Sequence, residues 1–325
     1  MKEHCVERLK TDEEIVGFFM VRMLAVKIGS NKKQYLDLLL ADNTGEITAK
    51  KWDVADTELP SLNEIQAGDV LKVKAIVTEW SGMRQLKIIR LRKAVEQDGI
   101  ERSDFIKAAP EKPEEMYAYL LAGAEAIGDA DLRGISVRIL EENREKLMYY
   151  PAAAKNHHSE MGGLLYHMKR MLMMGERYCQ VYENLNRDLV TTGVIIHDME
   201  KLTEMIADTD GIVSEYSFEG QMLGHLIQGV KQIARLASEL GVPEEKAVML
   251  EHMILSHHYE PEFGSPKKPL FPEAEILHYL DIVDARMYDM QAALNAAPPG
   301  GFSEKVRTLE NRRLYRPRGF GMPAE

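Results

Sequence analysis

Seven side chains in the second half of this sequence have the types and order of a divalent-metal centre: His167, His197, Asp198, His225, His257, His258 and Asp281. His167 ends Leu164-Leu165-Tyr166-His167, and His197-Asp198 follows the apolar Val194-Ile195-Ile196. His225 follows Gly224, His257-His258 closes Ile254-Leu255-Ser256, and Asp281 lies in Leu280-Asp281-Ile282. Taken singly, an imidazole on an apolar helix is more often a hydrogen-bonded core residue than a ligand, and His-Asp is a common dipeptide. Burying imidazole and carboxylate among Ile, Leu and Val is costly, however, unless they are paired or metal-bound. Insertions of this kind on five successive segments argue for a shared partner. Imidazole and carboxylate without thiolate suit hard-to-borderline divalent cations such as Mn2+, Fe2+ or Zn2+; Mn2+ is the expected ion, with Fe2+, Co2+ and Zn2+ as alternatives. A carboxylate beside an imidazole at a helix end can bridge two ions about 3.5–4 Å apart, the spacing that clamps a phosphoryl displacement. The expected chemistry is metal-dependent phosphodiester hydrolysis with one or two ions.

Positioning these groups falls to helices. Apolar residues recur at three- and four-residue spacing over 114–127, 131–149, 161–183, 186–200, 218–240, 243–257 and 272–293, with Ser217 and Gly241 as plausible ends of one helix. The first part of the chain reads differently. Segments 18–28, 35–40, 47–52, 70–77 and 86–91 have strand character, separated by turn signals such as Gly29-Ser30-Asn31, Asp42-Asn43-Thr44-Gly45 and Ser81-Gly82. Five short strands in so short a stretch predict a small antiparallel barrel, with residues 55–67 bridging the third and fourth. The expected organisation is α+β and multidomain: a barrel over 13–93, a polar linker over 94–113, an all-α domain over 114–295, and a Gly-, Pro- and Arg-rich tail over 296–325 with the composition of a poorly ordered segment.

Composition narrows the class. The chain has 325 residues, 45% hydrophobic and 29% charged, with two cysteines, Cys5 and Cys179, in unrelated contexts. That pattern predicts a cytoplasmic protein without a disulfide framework. No apolar run is long enough to span a membrane, and the charged start, Met1 to Lys10, has no signal-peptide centre. The net charge of -11 disfavours a polyanionic partner, yet residues 20–93 hold 13 Lys/Arg against 9 Asp/Glu, and the remainder 28 against 43. Phosphate contacts are local and screened, so a basic module on an acidic body can still bind nucleic acid. Phe18, Phe19, Tyr35, Trp52 and Trp80 interleave there with Arg22, Lys27, Lys32, Lys33, Lys50, Lys51, Lys72, Lys74 and Arg84. Aromatics for stacking and cations along a groove are what single strands require. Because strand aromatics usually belong to the core, Phe18 and Trp52 are expected to be buried.

The order His, His-Asp, His, His-His, Asp resembles the HD-domain metal phosphohydrolases, an all-helical superfamily. Asn156-His157-His158, then Gly162-Gly163-Leu164-Leu165-Tyr166-His167, narrows the resemblance. So do Gly220-Gln221-Met222-Leu223-Gly224-His225, Leu255-Ser256-His257-His258, Gly264-Ser265-Pro266-Lys267 and Leu277-His278-Tyr279-Leu280-Asp281. These strings are similar to the YhaM-type 3′→5′ exoribonucleases, which set an OB-fold nucleic-acid-binding domain before the HD domain. Gly17-Phe18-Phe19, Tyr35-Leu36-Asp37-Leu38 and Asp42-Asn43-Thr44-Gly45-Glu46-Ile47 resemble that family's OB segment, and the match covers about residues 13–293.

The resemblance implies His167, His197, Asp198 and Asp281 around one metal. It implies Asp198 bridging to a second metal held by His225, His257 and His258. It makes Asp198 and Lys201 catalytic, with Lys201 and Lys267 on substrate phosphate and Tyr35 and Lys33 on the strand. For Lys201 and Lys267 a solvated surface role is the competing account. Two positions depart from the family pattern: Glu200 and Tyr259 stand where glycine is usual. Asp284 could orient a ligand, with surface solvation as the competing account; His158 could line the site or hold a structural role; His252 and His278 read as packing residues, and His4 reads as exposed.

The expected activity is 3′→5′ hydrolysis of single-stranded RNA, with single-stranded DNA as a second substrate class. Two alternatives stay open: an HD phosphodiesterase acting on a cyclic dinucleotide or small nucleotide, and a nucleic-acid-binding protein with an inactive HD domain. No membrane partner is expected, and a homo-oligomer is compatible with the sequence.

Overall fold

The computed structural model describes residues 5–29, 33–52, 54, 62, 64–80, 83–100, 104–154 and 158–319. The expectations for His4, Ser30-Asn31, Lys32, the segment 55–61, Ser81-Gly82 and Asn156-His157 lie outside the described residues. The chain forms two compact units, Met1–Ala108 and Ala109–Glu325.

The first unit is a closed barrel of β1 (Glu14–Ile28), β2 (Gln34–Asp42), β3 (Gly45–Lys51), β4 (Val70–Trp80) and β5 (Met83–Lys93), in the order β1-β2-β3-β5-β4. This is the OB-fold order. The long β1 serves two partners: Glu14 to Met20 pair with β4 and Met20 to Ile28 with β2, the register shifting between Val21 and Met23. Such a bulge bends the strand around the barrel. The expected barrel was antiparallel, but β3 and β5 close it in parallel, Thr48 opposite Gln85 and Lys50 opposite Lys87. The reason is parity, because an odd ring of strands cannot alternate direction all the way round. Alternation along each strand sends Ile15, Phe19 and Val21 inward with Leu36, Leu38, Leu40, Val73 and Val77.

Past β5 the polar stretch folds back onto the barrel. Asp98 accepts both Arg92 guanidinium nitrogens at 2.7 Å and the Val95 backbone N–H at 2.9 Å, and Lys72 Nζ approaches at 3.4 Å. Phe105 is fully buried. The start of the expected linker is therefore tied to the barrel.

In the second unit the helices are α1 (Pro113–Glu125), α2 (Ala130–Leu147), α3 (Gly163–Val181), α4 (Arg187–Ile196), the single turn α5 (Lys201–Glu204), α6 (Phe218–Leu240), α7 (Glu244–Ser256) and α8 (Pro272–Ala296). Their starts are capped by side chains at Asp129, Asn186 and Ser217, each accepting first-turn N–H groups. One apolar core runs through all of the long helices, from Met116 and Leu120 through Ile139, Leu165, Ile195 and Leu236 to Leu250 and Leu277. The expectation of an all-α domain needs correction. A two-stranded hairpin, β6 (Met205–Ala207) and β7 (Val213–Tyr216), interrupts the helices at a turn where Asp208 accepts the N–H groups of Asp210 and Ile212. Of the expected tail, residues 296–319 are described and carry bridged segments. Phe302 bridges Tyr315, Val306 bridges Arg312, and Leu309 is buried. No described helix is long and apolar enough to cross a membrane.

Arg92 holds the Asp98 carboxyl well below the usual carboxylate range, with the Val95 N–H and, least, Lys72 adding to the effect against an opposing contribution from burial. A depressed folded-state pKa contributes stability that is present above the unfolded value of about 3.9 and is lost as pH falls below it. Asp98→Asn should therefore unfold at lower urea than the wild type at pH 7, and the gap should narrow toward pH 3. Both tryptophans, Trp52 and Trp80, belong to this unit, so their fluorescence follows its transition alone. A gap that stays constant from pH 7 to pH 3 would refute the assignment.

Candidate metal centre

Five elements deliver the polar groups. His167 stands in the second turn of α3, whose entry needs glycine: a Cβ on Gly163 would lie 2.1 Å from the His158 carbonyl oxygen. His197 is the residue after α4 and Asp198 follows it; His257 is the residue after α7 and His258 follows it. His225 enters from α6 just after a break at Gly224 (φ 69°, ψ 162°), a left-handed backbone that favours glycine. Asp281 comes from the third turn of α8.

The side chains converge on Asp198, which is 1% exposed. Its Oδ1 lies 3.4 Å from His225 Nε2 and 3.8 Å from His257 Nε2. Its Oδ2 lies 3.3 Å from His197 Nε2, 4.0 Å from His167 Nε2 and 2.6 Å from Lys201 Nζ. Asp281 Oδ1 is 3.4 Å from His167 Nε2. Ligand atoms of Asp198, His225, His257 and His258 lie within 4.8 Å of one another, as do those of His167, His197 and Asp198. The two groups share Asp198.

Each imidazole is turned so that Nε2 faces the cluster. His197 Nδ1 donates to the Val194 carbonyl at 2.9 Å, His257 Nδ1 to the Ile254 carbonyl at 2.8 Å and His258 Nδ1 to the Phe263 carbonyl at 2.7 Å. A carbonyl only accepts, so the proton sits on Nδ1 and Nε2 presents a lone pair. His167 Nδ1 lies 2.8 Å from Asp284 Oδ2, and His225 Nδ1 lies 3.1 Å from Glu204 Oε2. His197 Nε2, His225 Nε2, His257 Nε2 and Asp198 Oδ1 are buried and make no hydrogen bond among the described residues. Leaving such groups unsatisfied costs about 1–3 kcal/mol each. Converging lone pairs around an ionised carboxylate are what a divalent cation satisfies, and the donor set fits one.

Electrostatics agree with that donor set. Burial would raise the Asp198 carboxyl, but Lys201, His197 and His225 outweigh it and hold it well below the usual range. Asp281 is held low against burial by His167 and His197. Burial, with His258 and His197 adding repulsion, keeps His257 well below its ordinary value, and His258 is lowered chiefly by burial. His167 is pushed up to about 9 because Asp281 and Asp284 outweigh the cost of burial. The negative field that favours a proton there equally favours a cation.

The other expected residues are placed as follows. Lys201 sits in the cluster on Asp198. Lys267 is exposed on the loop after α7, and among the described residues no hydrogen bond or ion pair ties it to the histidines. Tyr35 and Lys33 lie in the barrel unit. Trp52 was expected to be buried, but it is 43% exposed and stacks on Tyr35 at 4.5 Å, with Lys50 Nζ 5.6 Å from its ring. Phe18 is half-buried with Lys72 Nζ 5.1 Å from its ring, while Phe19 fills the core. Glu200 has ordinary backbone angles and hydrogen-bonds Thr203 at 2.6 Å. Tyr259 adopts φ 68°, which explains why glycine suits that position; its ring packs on His278 at 4.8 Å with Lys268 Nζ at 4.4 Å. His278 Nδ1 donates to the His257 carbonyl at 2.7 Å, so it is more than packing. Asp284 also receives His158 Nε2 at 2.8 Å and Arg170 Nε at 2.6 Å.

Glu204 was not anticipated from the sequence. It accepts both the backbone N–H of His225 at 3.1 Å and its ring Nδ1–H, so one carboxylate caps the helix that restarts after Gly224 and fixes the ring. Its pKa is lowered because His225 and Lys201 outweigh burial. Carboxylate partners of ligating histidines typically carry 10–100-fold in metal affinity. Glu204→Ala should weaken Mn2+ binding, measured by calorimetry, by roughly that factor, and Glu204→Gln, which keeps an acceptor, by less. Equal affinities in wild type and Glu204→Ala would refute the role.

Comparison with known proteins now bears on this geometry. The HD domain family model matches residues 164–286, which contain all seven clustered residues. The 3′-5′ exoribonuclease YhaM of Geobacillus sp. (strain WCH70) is 38% identical over 306 residues, covering 94% of this chain and 92% of that protein. The YhaM of Shouchella clausii is 35% identical over 317 residues, 97% of each chain. That of Bacillus velezensis is 36% identical over 305 residues, covering 94% of this chain and 95% of its own. With an OB barrel before an HD domain and relatives of this identity along nearly its whole length, the chain belongs to the YhaM family of 3′-5′ exoribonucleases.

Proposed function

We propose that this chain is a metal-dependent 3′→5′ exoribonuclease that removes nucleoside monophosphates from single-stranded RNA, and also accepts single-stranded DNA, in the cytoplasm. The observation that carries the reading is the buried convergence of His197, His225 and His257 Nε2 atoms on Asp198. His167, His197, Asp198 and Asp281 would hold one divalent ion, and Asp198, His225, His257 and His258 a second. The ion we propose is Mn2+, and the same donors accommodate Fe2+, Co2+ or Zn2+, the choice resting on metal availability as much as on ligand type. When bound, such ions activate water and neutralise charge on the phosphoryl oxygens.

The protein's own groups do the rest. Asp198 keeps the imidazoles facing one point and stays ionised. Lys201, its ammonium held by Asp198 and Asp281 against the cost of burial, supplies a fixed positive charge beside the position of the scissile phosphate. Such preorganised charge stabilises the extra negative charge of the transition state without reorganisation.

The barrel supports a strand as substrate. A cleft of about 490 Å³ is lined by Lys50, Trp52, Trp80, Gln85 and Lys87, and Trp80 is 70% exposed. Two accessible indoles and two ammonium groups lining one cleft suit bases and phosphates of a single strand. A cyclic dinucleotide has no use for such a surface.

His197→Ala and Asp198→Ala should each slow shortening of a 5′-labelled RNA 12-mer by roughly a hundredfold or more, the scale of losing a transition-state charge stabiliser; unchanged rates in both would sink the proposal. Trp52→Ala should raise KM for the 12-mer about 5- to 30-fold and leave kcat near wild type, the signature of lost ground-state stacking.

A further inference from the structure

Residues 298–325 carry six Lys/Arg against three Asp/Glu in a chain whose net charge is -11. Residues 298–318 form an arm of two short bridged segments, Phe302 opposite Tyr315 and Val306 opposite Arg312. Phe302 and Tyr315 are on one face with ring centroids 5.2 Å apart, and they are 53% and 52% exposed. The Arg313 guanidinium lies 5.8 Å from the Phe302 ring. An aromatic pair left half in water, flanked by cations, is a poor core and a good stacking platform.

How the arginines are held sharpens this. Arg313 Nε donates to the Ser303 carbonyl at 2.9 Å, Arg316 to the carbonyls of Ala297 at 2.8 Å and Asn295 at 3.2 Å, and Arg318 to that of Pro299 at 3.4 Å. These acceptors are neutral. They orient the guanidinium groups without cancelling their charge, which leaves the charge available to a polyanion. Arg312 and Arg286, by contrast, meet Glu310, and that pairing fastens the arm to α8. Lys305 and Arg307, also on the arm, are exposed.

The arm is also tied to the helix that carries Asp281. Arg286 is five residues beyond Asp281, about 7.5 Å along the axis, and Asn295 is fourteen beyond, on the order of 20 Å. Arg316 caps the C-terminal carbonyls of α8, where a cation is favoured.

We infer that the Phe302–Tyr315 arm is a second contact for single-stranded RNA, stacking a base upstream of the one being released while Arg307 and Arg313 take its phosphates. The inference rests on the reading of the chain as an RNA hydrolase and adds a length requirement to it. RNA too short to reach from the metal centre to the arm gains nothing from the arm.

Two variants test this in the full chain: Phe302→Ala/Tyr315→Ala, and Arg307→Gln/Arg313→Gln, which keeps the aromatic pair. Far-UV circular dichroism checks that both retain their helix content. Binding of a fluorescent RNA 12-mer, measured by anisotropy in a chelator so that nothing is cut, should weaken roughly 5- to 30-fold in the first variant, the effect of one lost stack. In the second, the slope of log affinity against log salt should become shallower by about 1, as expected for one to two lost phosphate contacts. Hydrolysis of a dinucleotide with metal restored should stay at the wild-type rate in both.

Wild-type affinity and salt slope in both variants would overturn the inference. So would an equal loss on the dinucleotide, or a changed sedimentation coefficient with intact RNA affinity, which would make the arm a protein–protein surface. If the wild type binds the 12-mer but hydrolyses no RNA with metal present, the hydrolase reading fails, and the anisotropy result still judges the arm.

Discussion

An ionised carboxylate almost sealed from water organises the helical unit. Asp198 lies beyond the last turn of α4, amid Val194, Ile195, Ile196 and Met199, where an unpaired charge would be strongly unfavourable. Lys201 offsets one charge at 2.6 Å. Asp281 brings a second carboxylate into the cluster, and His197, His257 and His258 are dipoles whose lone pairs point inward, so as neutral groups they cannot balance it; the proton drawn onto His167 answers the same deficit. That leaves a site short of positive charge, and the apolar core that surrounds it keeps the dielectric low. The same features that make the site expensive without a cation make it selective for one.

Four of the imidazoles solve one problem in two ways, and the choice follows from their place on a helix. His197 and His257 each stand just past a helix end, where the last carbonyls lack helical partners. Each donates Nδ1–H to the carbonyl three residues back, Val194 and Ile254. The helix end thereby fixes the tautomer with no other residue required. His167 and His225 lie within helices whose carbonyls are already engaged. They need carboxylates from elsewhere, and they find Asp284 on α8 and Glu204 at the end of α5. His225 needs more, because the break at Gly224 frees its own N–H, and Glu204 accepts that as well.

This division also explains what the sequence disclosed. The strands, most helix bounds and the seven clustered residues are visible in periodicity and residue type, since each depends on neighbours a few positions away. Asp284 was legible for the same reason, three residues after Asp281 on one helix. Glu204 was not, because its tie to His225 spans 21 positions and depends on a kink that helical periodicity conceals. The β6–β7 hairpin was missed because strands this short carry too little alternation to register. Trp52 was misjudged by treating it as a strand residue: β3 ends at Lys51, and one position later the inward–outward rule no longer applies. Phe18 was recoverable, since Phe19 and Ile15 point inward and parity sends Phe18 out.

A net charge of -11 would seem to repel a polyanionic strand, and the resolution lies in how the cations are held. Beyond about 10 Å salt screens the overall charge, so a strand experiences only the nearby surface. On much of that surface lysine and arginine face carboxylates, as with Arg138 and Glu142 or Lys246 and Asp129. These pairs are neutral at a distance and offer little to phosphate. Lys50 over Tyr35 and Trp52, Arg313 over Phe302, and Arg316 on backbone carbonyls belong to a different kind. Ring faces and carbonyl dipoles hold those cations in place while leaving their charge intact. On the proposed RNA path, aromatic rings would have two uses, stacking bases and keeping cations available beside them. A basic residue set against an aromatic or a carbonyl is for that reason a better guide to a nucleic-acid path than the sign of the whole molecule.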